Sequence, residues 1–282
     1  QPPDPVPPAV IERNEARQAT VRAVRAAPQA ERAARAREVR DRFPPAGTKL
    51  ASVALDLTFL LRDQASWNEM LTYLDALPAS IRTMPIFREQ RCLAQSQAGD
   101  HLAAIGALEE LVAVGGDSPE RQGLLGGRYK RLYRAAQADA DKARYLGKAI
   151  THYDRGMMLD LNDYYPSCNL PQLYRERGRR GDDERARGAA TVARLACDRA
   201  IARGADDVWT RPTLLGLAFY AGDVDAIDEL CDRIATEGIA AWVLETTLAD
   251  LTEIVRTTPD PAIKAELDRA LARLKALVPV AM

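Results

Sequence analysis

Apolar residues recur along most of this chain at intervals of three and four, and the recurrence breaks at Pro, Gly and Asp positions. That spacing draws one apolar stripe down a helix of 3.6 residues per turn. Alternating β-branched runs bounded by turn residues, the mark of strands, are missing. From Thr48 onward the pattern therefore predicts helix after helix, in pairs. Thr48–Arg62 pairs with Ser66–Leu77, Pro85–Ala98 with His101–Val114, and Pro119–Ala136 with Lys142–Asp160. Tyr164–Arg177 then pairs with Asp182–Arg203, Val208–Ala221 with Val224–Glu237, and Ala240–Arg256 with Pro261–Leu277. Gly99-Asp100, Gly181, Gly222 and Thr258-Pro259 supply turns. Ser66 reads as an N-cap, with Glu69 three residues on completing a capping box, and Pro78 stops the helix that follows.

The N-terminal stretch reads differently. Residues 1–8 carry five prolines and are expected to form an extended linker. Residues 9–43 are rich in Arg and Ala and predict a helical arm of two helices broken at Pro28. Pro44-Pro45-Ala46-Gly47 marks a boundary, so residues 44–282 are expected to form the main domain.

Two of the late segments are copies of one another, 34 residues apart. Cys197-Asp198-Arg199 recurs as Cys231-Asp232-Arg233, Gly204 as Gly238, Thr213 as Thr247, Leu214 as Leu248 and Leu217 as Leu251. Thirty-four residues is the period of the tetratricopeptide helix-turn-helix. Its Leu-Gly-x-x-aromatic signature appears in Leu215-Gly216-Leu217-Ala218-Phe219 and in Leu125-Gly126-Gly127-Arg128-Tyr129. The fold class read from the sequence is all-α, a tetratricopeptide-like helical-repeat superhelix of about six hairpins after the N-terminal arm. A helix pair cannot bury its apolar face alone, so hairpins stack and present an extended surface. Binding is expected of such a surface, more than catalysis.

Composition sharpens this only in part. Of the 282 residues, 47% are hydrophobic and 6% aromatic, with Ala, Leu and Arg abundant, as suits helices. The net charge of -1 hides an asymmetry. Glu12 to Arg42 holds nine Arg against five acids, and Asp223 to Glu253 nine acids against Arg233 alone. These runs suit solvated helix faces, and they also suit steering of a partner or head-to-tail self-association. Cys92, Cys168, Cys197 and Cys231 show no CxxC spacing and read as small buried hydrophobes in a cytoplasmic setting. No secretory signal or membrane-spanning run is expected, and the start at Gln1 suggests a processed or longer parent chain.

Candidate chemistry is sparse. His101 and His152 have no ligand-spaced partners, so neither a metal site nor a catalytic group is assigned, and no cofactor is expected. Gly123-Leu124-Leu125-Gly126-Gly127 lacks the following Lys-Ser or Lys-Thr of a phosphate loop and reads as helix packing. The cluster that stands out is cationic and aromatic. Arg128, Lys130, Arg131 and Arg134 share one predicted helix, followed along the array by Tyr164, Tyr165, Asn169 and Arg175, then Trp209 and Arg211. With Leu125-Gly126 as the packing pair, Lys130 and Arg131 fall on the concave, groove-facing side. Such cations grip carboxylates or phosphates, and Tyr and Trp add stacking faces.

Ordered local matches between Phe43 and Arg256 add a resemblance. Leu74-Asp75-Ala76-Leu77-Pro78, then Arg88-Glu89-Gln90 with Gly99-Asp100, precede the best segment, Gly126-Gly127-Arg128-Tyr129-Lys130. Ala149-Ile150 with Tyr153, Arg155 and Gly156, then Tyr165 and Asn169, then Ala241-Trp242 with Leu244 complete the series. This set resembles the TRAF-binding central regulatory region of the apoptosis signal-regulating kinases and its bacterial homologues. The resemblance implies a helical-repeat array that docks partners and regulates a larger signalling protein or an attached effector domain. It also implies that a nucleotide-like ligand suits such domains. The kinase and pleckstrin-like patterns of those proteins are not visible here. The expectation is a non-catalytic scaffold that takes a protein partner in its groove, with a sensor of a phosphorylated nucleotide-like ligand as the alternative. The charge balance argues against nucleic acid.

Overall fold

The computed structural model describes residues 18–64 and 66–278. The proline-rich stretch at residues 1–8 and the start of the arm lie outside the described residues. Every regular element described is helical: α1 (residues 18–26), α2 (Gln29–Arg42), a 3-10 turn (Pro45–Gly47), α3 (Ala51–Asp63), α4 (Trp67–Asp75), α5 (Ala79–Arg82), α6 (Pro85–Gln97), α7 (His101–Gly115), α8 (Pro119–Ala135), α9 (Asp139–Leu159), α10 (Tyr164–Arg177), α11 (Asp182–Ala202), α12 (Thr210–Ala221), α13 (Val224–Glu237), α14 (Ala241–Thr257) and α15 (Pro261–Lys275). The chain is an all-α helical repeat. It divides into two compact units, residues 1–107 and 108–282.

In the first unit Pro28 separates α1 from α2, since it has no N–H to continue a helix. The arm is not a free appendage. Val21, Val24, Ala36 and Val39 share one core with Leu57, Leu60, Leu61, Met70, Tyr73 and Phe87. Apolar residues at those spacings form a stripe, and burying each Val, Leu, Met or Phe among them stabilises the fold by about 1.5–3 kcal/mol. The arm and the helices that follow Pro44-Pro45 therefore belong to one compact unit. The capping box expected at α4 does not form. Ser66 occupies the N-cap without a side-chain hydrogen bond, and Glu69 accepts from Arg37 and Arg40 of α2. The short α5, absent from the expected pairs, starts directly after Pro78.

In the second unit hairpins stack through small residues. A Cβ at Gly123 would sit 2.6 Å from the ring of Tyr165, and one at Gly126 would sit 2.7 Å from that of Tyr153. The glycine run of α8 is therefore a packing surface for α9 and α10. Asp139 and Asp141 begin α9 three residues earlier than expected, where carboxylates favour a helix N-terminus. The 34-residue copies occupy equivalent places. Cys197 of α11 and Cys231 of α13 are both buried, as are Leu217 of α12 and Leu251 of α14. Gly204 and Gly238 follow α11 and α13 at φ 62° and 78°, a conformation that disfavours other residues. Helices α12 to α15 close around Leu215, Phe219, Ile227, Ile234, Leu251 and Leu267.

Candidate functional site

Three helices of the second unit each bring a polar stripe to one seam. On α8 the positions 127, 130, 131 and 134 share a face, being three, four and seven residues apart. On α10 the stripe is Tyr165, Asn169, Gln172 and Glu176, and on α14 it is Thr246, Asp250, Glu253 and Thr257. Apart from the buried Gly127, these residues are half-buried as whole residues, while the opposite flanks of α14, including Val243, Leu244, Leu251 and Ile254, are buried in the apolar core. The 3.6-residue repeat thus sends apolar positions into the hairpin and leaves one polar edge per helix.

The stripes are joined by hydrogen bonds and ion pairs. The Lys130 ammonium donates to Asn169 Oδ1 at 2.7 Å and to both carboxylate oxygens of Asp250 at 2.9 Å. Arg134 pairs with Glu176 at 2.8 Å and reaches Glu253 at 3.3 Å. The Glu176 side chain is only 3% exposed, and it accepts a further bond from Gln172, which also donates to Thr257. Burial works to lower the Arg134 pKa, but the hydrogen bond and charge of Glu176, with help from Glu253, outweigh it and raise the pKa. Burial pushes the nearby Tyr133 hydroxyl up to about 12, with Glu176 adding to the shift. Asn169 is oriented from behind, its amide donating to the carbonyl of Tyr165 at 2.9 Å.

Arg131 stands apart within the seam. It lies one turn beyond Gly127, on the stripe that faces Tyr165; burial raises the Tyr165 pKa, and the charges of Arg128 and, more weakly, Arg131 act to lower it. It makes no hydrogen bond or ion pair with a described residue. On α12, Thr213, Gly216 and Tyr220 share one half-buried face. Arg175 stacks over Tyr220 at 3.9 Å and donates to its carbonyl. A Cβ at Gly216 would meet nothing within 4 Å.

The other residues singled out from sequence fall elsewhere. Arg128 is 4% exposed and belongs to the interior of α8, because its position faces the hairpin and not the seam. Tyr165 packs edge-on against Tyr153 and bonds the Gly123 carbonyl, so its ring is a wedge between helices. Tyr164, Trp209 and Arg211 gather at the α11–α12 loop. The Tyr164 hydroxyl bonds Asp207, Trp209 meets Trp242 edge-on at 5.1 Å, and Arg211 pairs with Asp206 and Glu237. The ten candidates thus separate into a seam group (Lys130, Arg131, Arg134, Asn169), a packing group and a loop group. Sequence reasoning missed Asp250 and Glu253, although the acidic run in which they lie was visible.

Nucleophile chemistry has little footing here. Cys92, Cys197 and Cys231 are buried, and half-buried Cys168 has its thiol pushed up to about 12 by burial despite the pull of Lys130. His101 bonds Ser96, and His152 stacks flat on Tyr129 at 5.3 Å, with burial lowering its pKa. Among the described residues no group of His, Cys, Asp and Glu is arranged to hold a metal, and no helix is long and apolar enough to cross a membrane. In the first unit a cleft of about 260 Å³ is lined by Arg82, Arg88, Arg91, Phe87 and Asp75. There Asp75 answers Arg91 at 2.7 Å.

Residues 66–174, spanning α4 to α10, match the family described as Tetratricopeptide Repeats-Sensor. No curated protein matches the chain. Among solved structures the chain is similar to a thermophilic TPR protein of Thermus thermophilus, at 16% identity and a TM-score of 0.49, covering 79% of this chain and 100% of that one. It is also similar to the human IFIT1 dimer with PPP-AAAA, at 14% identity and a TM-score of 0.48, covering 88% of this chain and 59% of that one. A tetratricopeptide repeat protein from Parabacteroides merdae is 13% identical, with a TM-score of 0.40, covering 92% of this chain and 98% of that one.

Proposed function

We propose that this chain, a helical-repeat protein of the tetratricopeptide type, is a non-catalytic binding module that docks an acidic segment of a protein partner on the α8–α10 wall. One observation carries the reading: the wall already holds an acidic helix. Asp250 and Glu253 of α14, three residues apart, sit on Lys130 and Arg134. Lys130, Arg131 and Arg134 therefore form a template for carboxylates spaced along one helix face, the spacing by which grooves read helical partners. Arg131 adds a charge that no acid among the described residues answers. The resemblance to the regulatory region of the apoptosis signal-regulating kinases supports a role inside a larger signalling protein, acting on an attached effector.

The test uses helical peptides with two carboxylates at positions i and i+3, compared with Asn/Gln isosteres by fluorescence anisotropy. The acidic peptides bind, and the double variant Lys130→Glu, Arg131→Glu abolishes binding while the helical circular dichroism signal stays intact. Equal binding by that variant would remove the site from this wall. A second reading, a sensor of a phosphorylated nucleotide-like ligand, draws support from the match to the Tetratricopeptide Repeats-Sensor description. A nucleotide that binds only the folded state would raise the melting temperature, and Arg131→Glu would cancel the rise.

A further inference from the structure

We infer that α14 is a built-in occupant of an anion site on α8, and that a dianionic group of the phosphate-monoester class competes with Asp250 for Lys130 and Arg131. The inference rests on the binding reading of the α8–α10 wall and adds its ligand charge and its regulation.

Polar links join α14 to α8 and α10: Lys130 to Asp250, Arg134 to Glu253, and Gln172 to Thr257. Meanwhile α14 has its own apolar core with α12, α13 and α15. Releasing the seam would leave that core intact, so the seam can exchange partners without unfolding a helix. The side chains are also reachable, since Asp250 is 45% exposed and Lys130 16%.

Charge points the same way. Asp250 places both oxygens on Lys130 and brings one negative charge. Lys130 and Arg131 bring two positive charges, and Arg131 has no ion-pair partner among the described residues. A monoanionic carboxylate leaves that pair under-neutralised. A dianion balances it, and its tetrahedral oxygens suit an ammonium and a guanidinium fork together. Asn169, held by the Tyr165 carbonyl, keeps Lys130 in place through its Oδ1 in either state. When the dianion binds, Asp250 loses Lys130, and the α14 stripe is freed along the seam.

The experiment uses the full chain, with inorganic phosphate as the probe and chloride at matched ionic strength as the monoanion control. Calorimetry compares the parent protein with Asp250→Asn, Arg131→Ala and Asp225→Asn, the last removing an exposed acid from α13. Hydrogen exchange over residues 241–257 is followed in parallel. Asp250→Asn is expected to tighten phosphate by about fivefold, the equivalent of about 1 kcal/mol for a half-exposed ion pair. Arg131→Ala weakens phosphate binding and Asp225→Asn leaves it unchanged. Phosphate speeds exchange over 241–257 in the parent protein, and Asp250→Asn shows the faster exchange already. Tightening without a change in exchange would reduce Asp250 to a background charge and overturn the competition. Equal affinity in the parent and Asp250→Asn, or no phosphate binding to either, would also overturn it. Acidic-peptide binding to the same wall could survive those outcomes, so the two readings fail separately. Phenyl phosphate and a phosphoserine peptide, run as further arms, distinguish a small-molecule source of the group from a phosphorylated side chain.

Discussion

Two contacts made by α14 differ in kind. Toward α12, α13 and α15 it offers Leu244, Leu248, Leu251, Ile254 and Val255, which interdigitate with Leu215, Phe219, Ile227, Leu267 and Leu271. Toward α8 and α10 it offers Asp250, Glu253 and Thr257. The first contact is held by removal of apolar surface from water, which no solute replaces group for group. The second is held by ion pairs and hydrogen bonds, which an incoming anion can substitute. The same helix thus has an apolar face held by its core and a polar face held by ion pairs and hydrogen bonds, and it is the polar face on which the proposed exchange would act.

The sharpest way to break the comparison is to hollow the apolar face. Leu215→Ala should cost about 2–5 kcal/mol in denaturant unfolding, since the side chain is fully buried and its loss leaves a cavity. A cost below about 1 kcal/mol would mean that this core is not what holds α14. Within the seam the effects should be graded by burial. Arg134→Ala should cost about 2 kcal/mol or more, because it strands the nearly inaccessible Glu176 carboxylate without its guanidinium. Rescue by Arg134→Lys should be partial, as an ammonium cannot bridge Glu176 and Glu253 with the same fork.

The helices were largely legible in the sequence because one local rule, an apolar stripe every 3.6 residues, decides each of them. Gly204 and Gly238 were legible as repeat marks, and their positive φ explains why glycine stands at both. The packing side of α8 was also legible, since Gly126 lies against the ring of Tyr153. What stayed hidden depends on distant chain. Asp250 lies 120 residues from Lys130, and only the stacking of intervening hairpins brings them together. Arg128 looked like a groove cation by composition, yet its position turns it inward. Glu69 had the spacing of a capping box, but Arg37 and Arg40 of α2 claim its carboxylate.

A smaller effect sharpens the picture at the α10–α11 turn. Asp182 accepts two bonds from Arg177 and one from the Arg179 N–H, and the Arg177 hydrogen bond leads in lowering its pKa to about 2. A carboxyl with a depressed folded pKa adds stability that is fully present above its unfolded value near 4. That increment is lost as pH falls toward 2. Asp182→Asn should therefore lower the melting temperature at pH 6 and converge with the parent protein near pH 2. A constant difference across that range would place its contribution in packing and not in charge.

The most direct test of the account is binding of an acidic helical peptide to the parent protein and to Arg131→Glu, a change at the one seam cation that the fold does not pair among its described residues. The account predicts that the parent binds and that the variant loses binding with an unchanged helical signal and melting temperature. Equal affinity in the two proteins would contradict it, and would move the binding surface away from the α8–α10 wall.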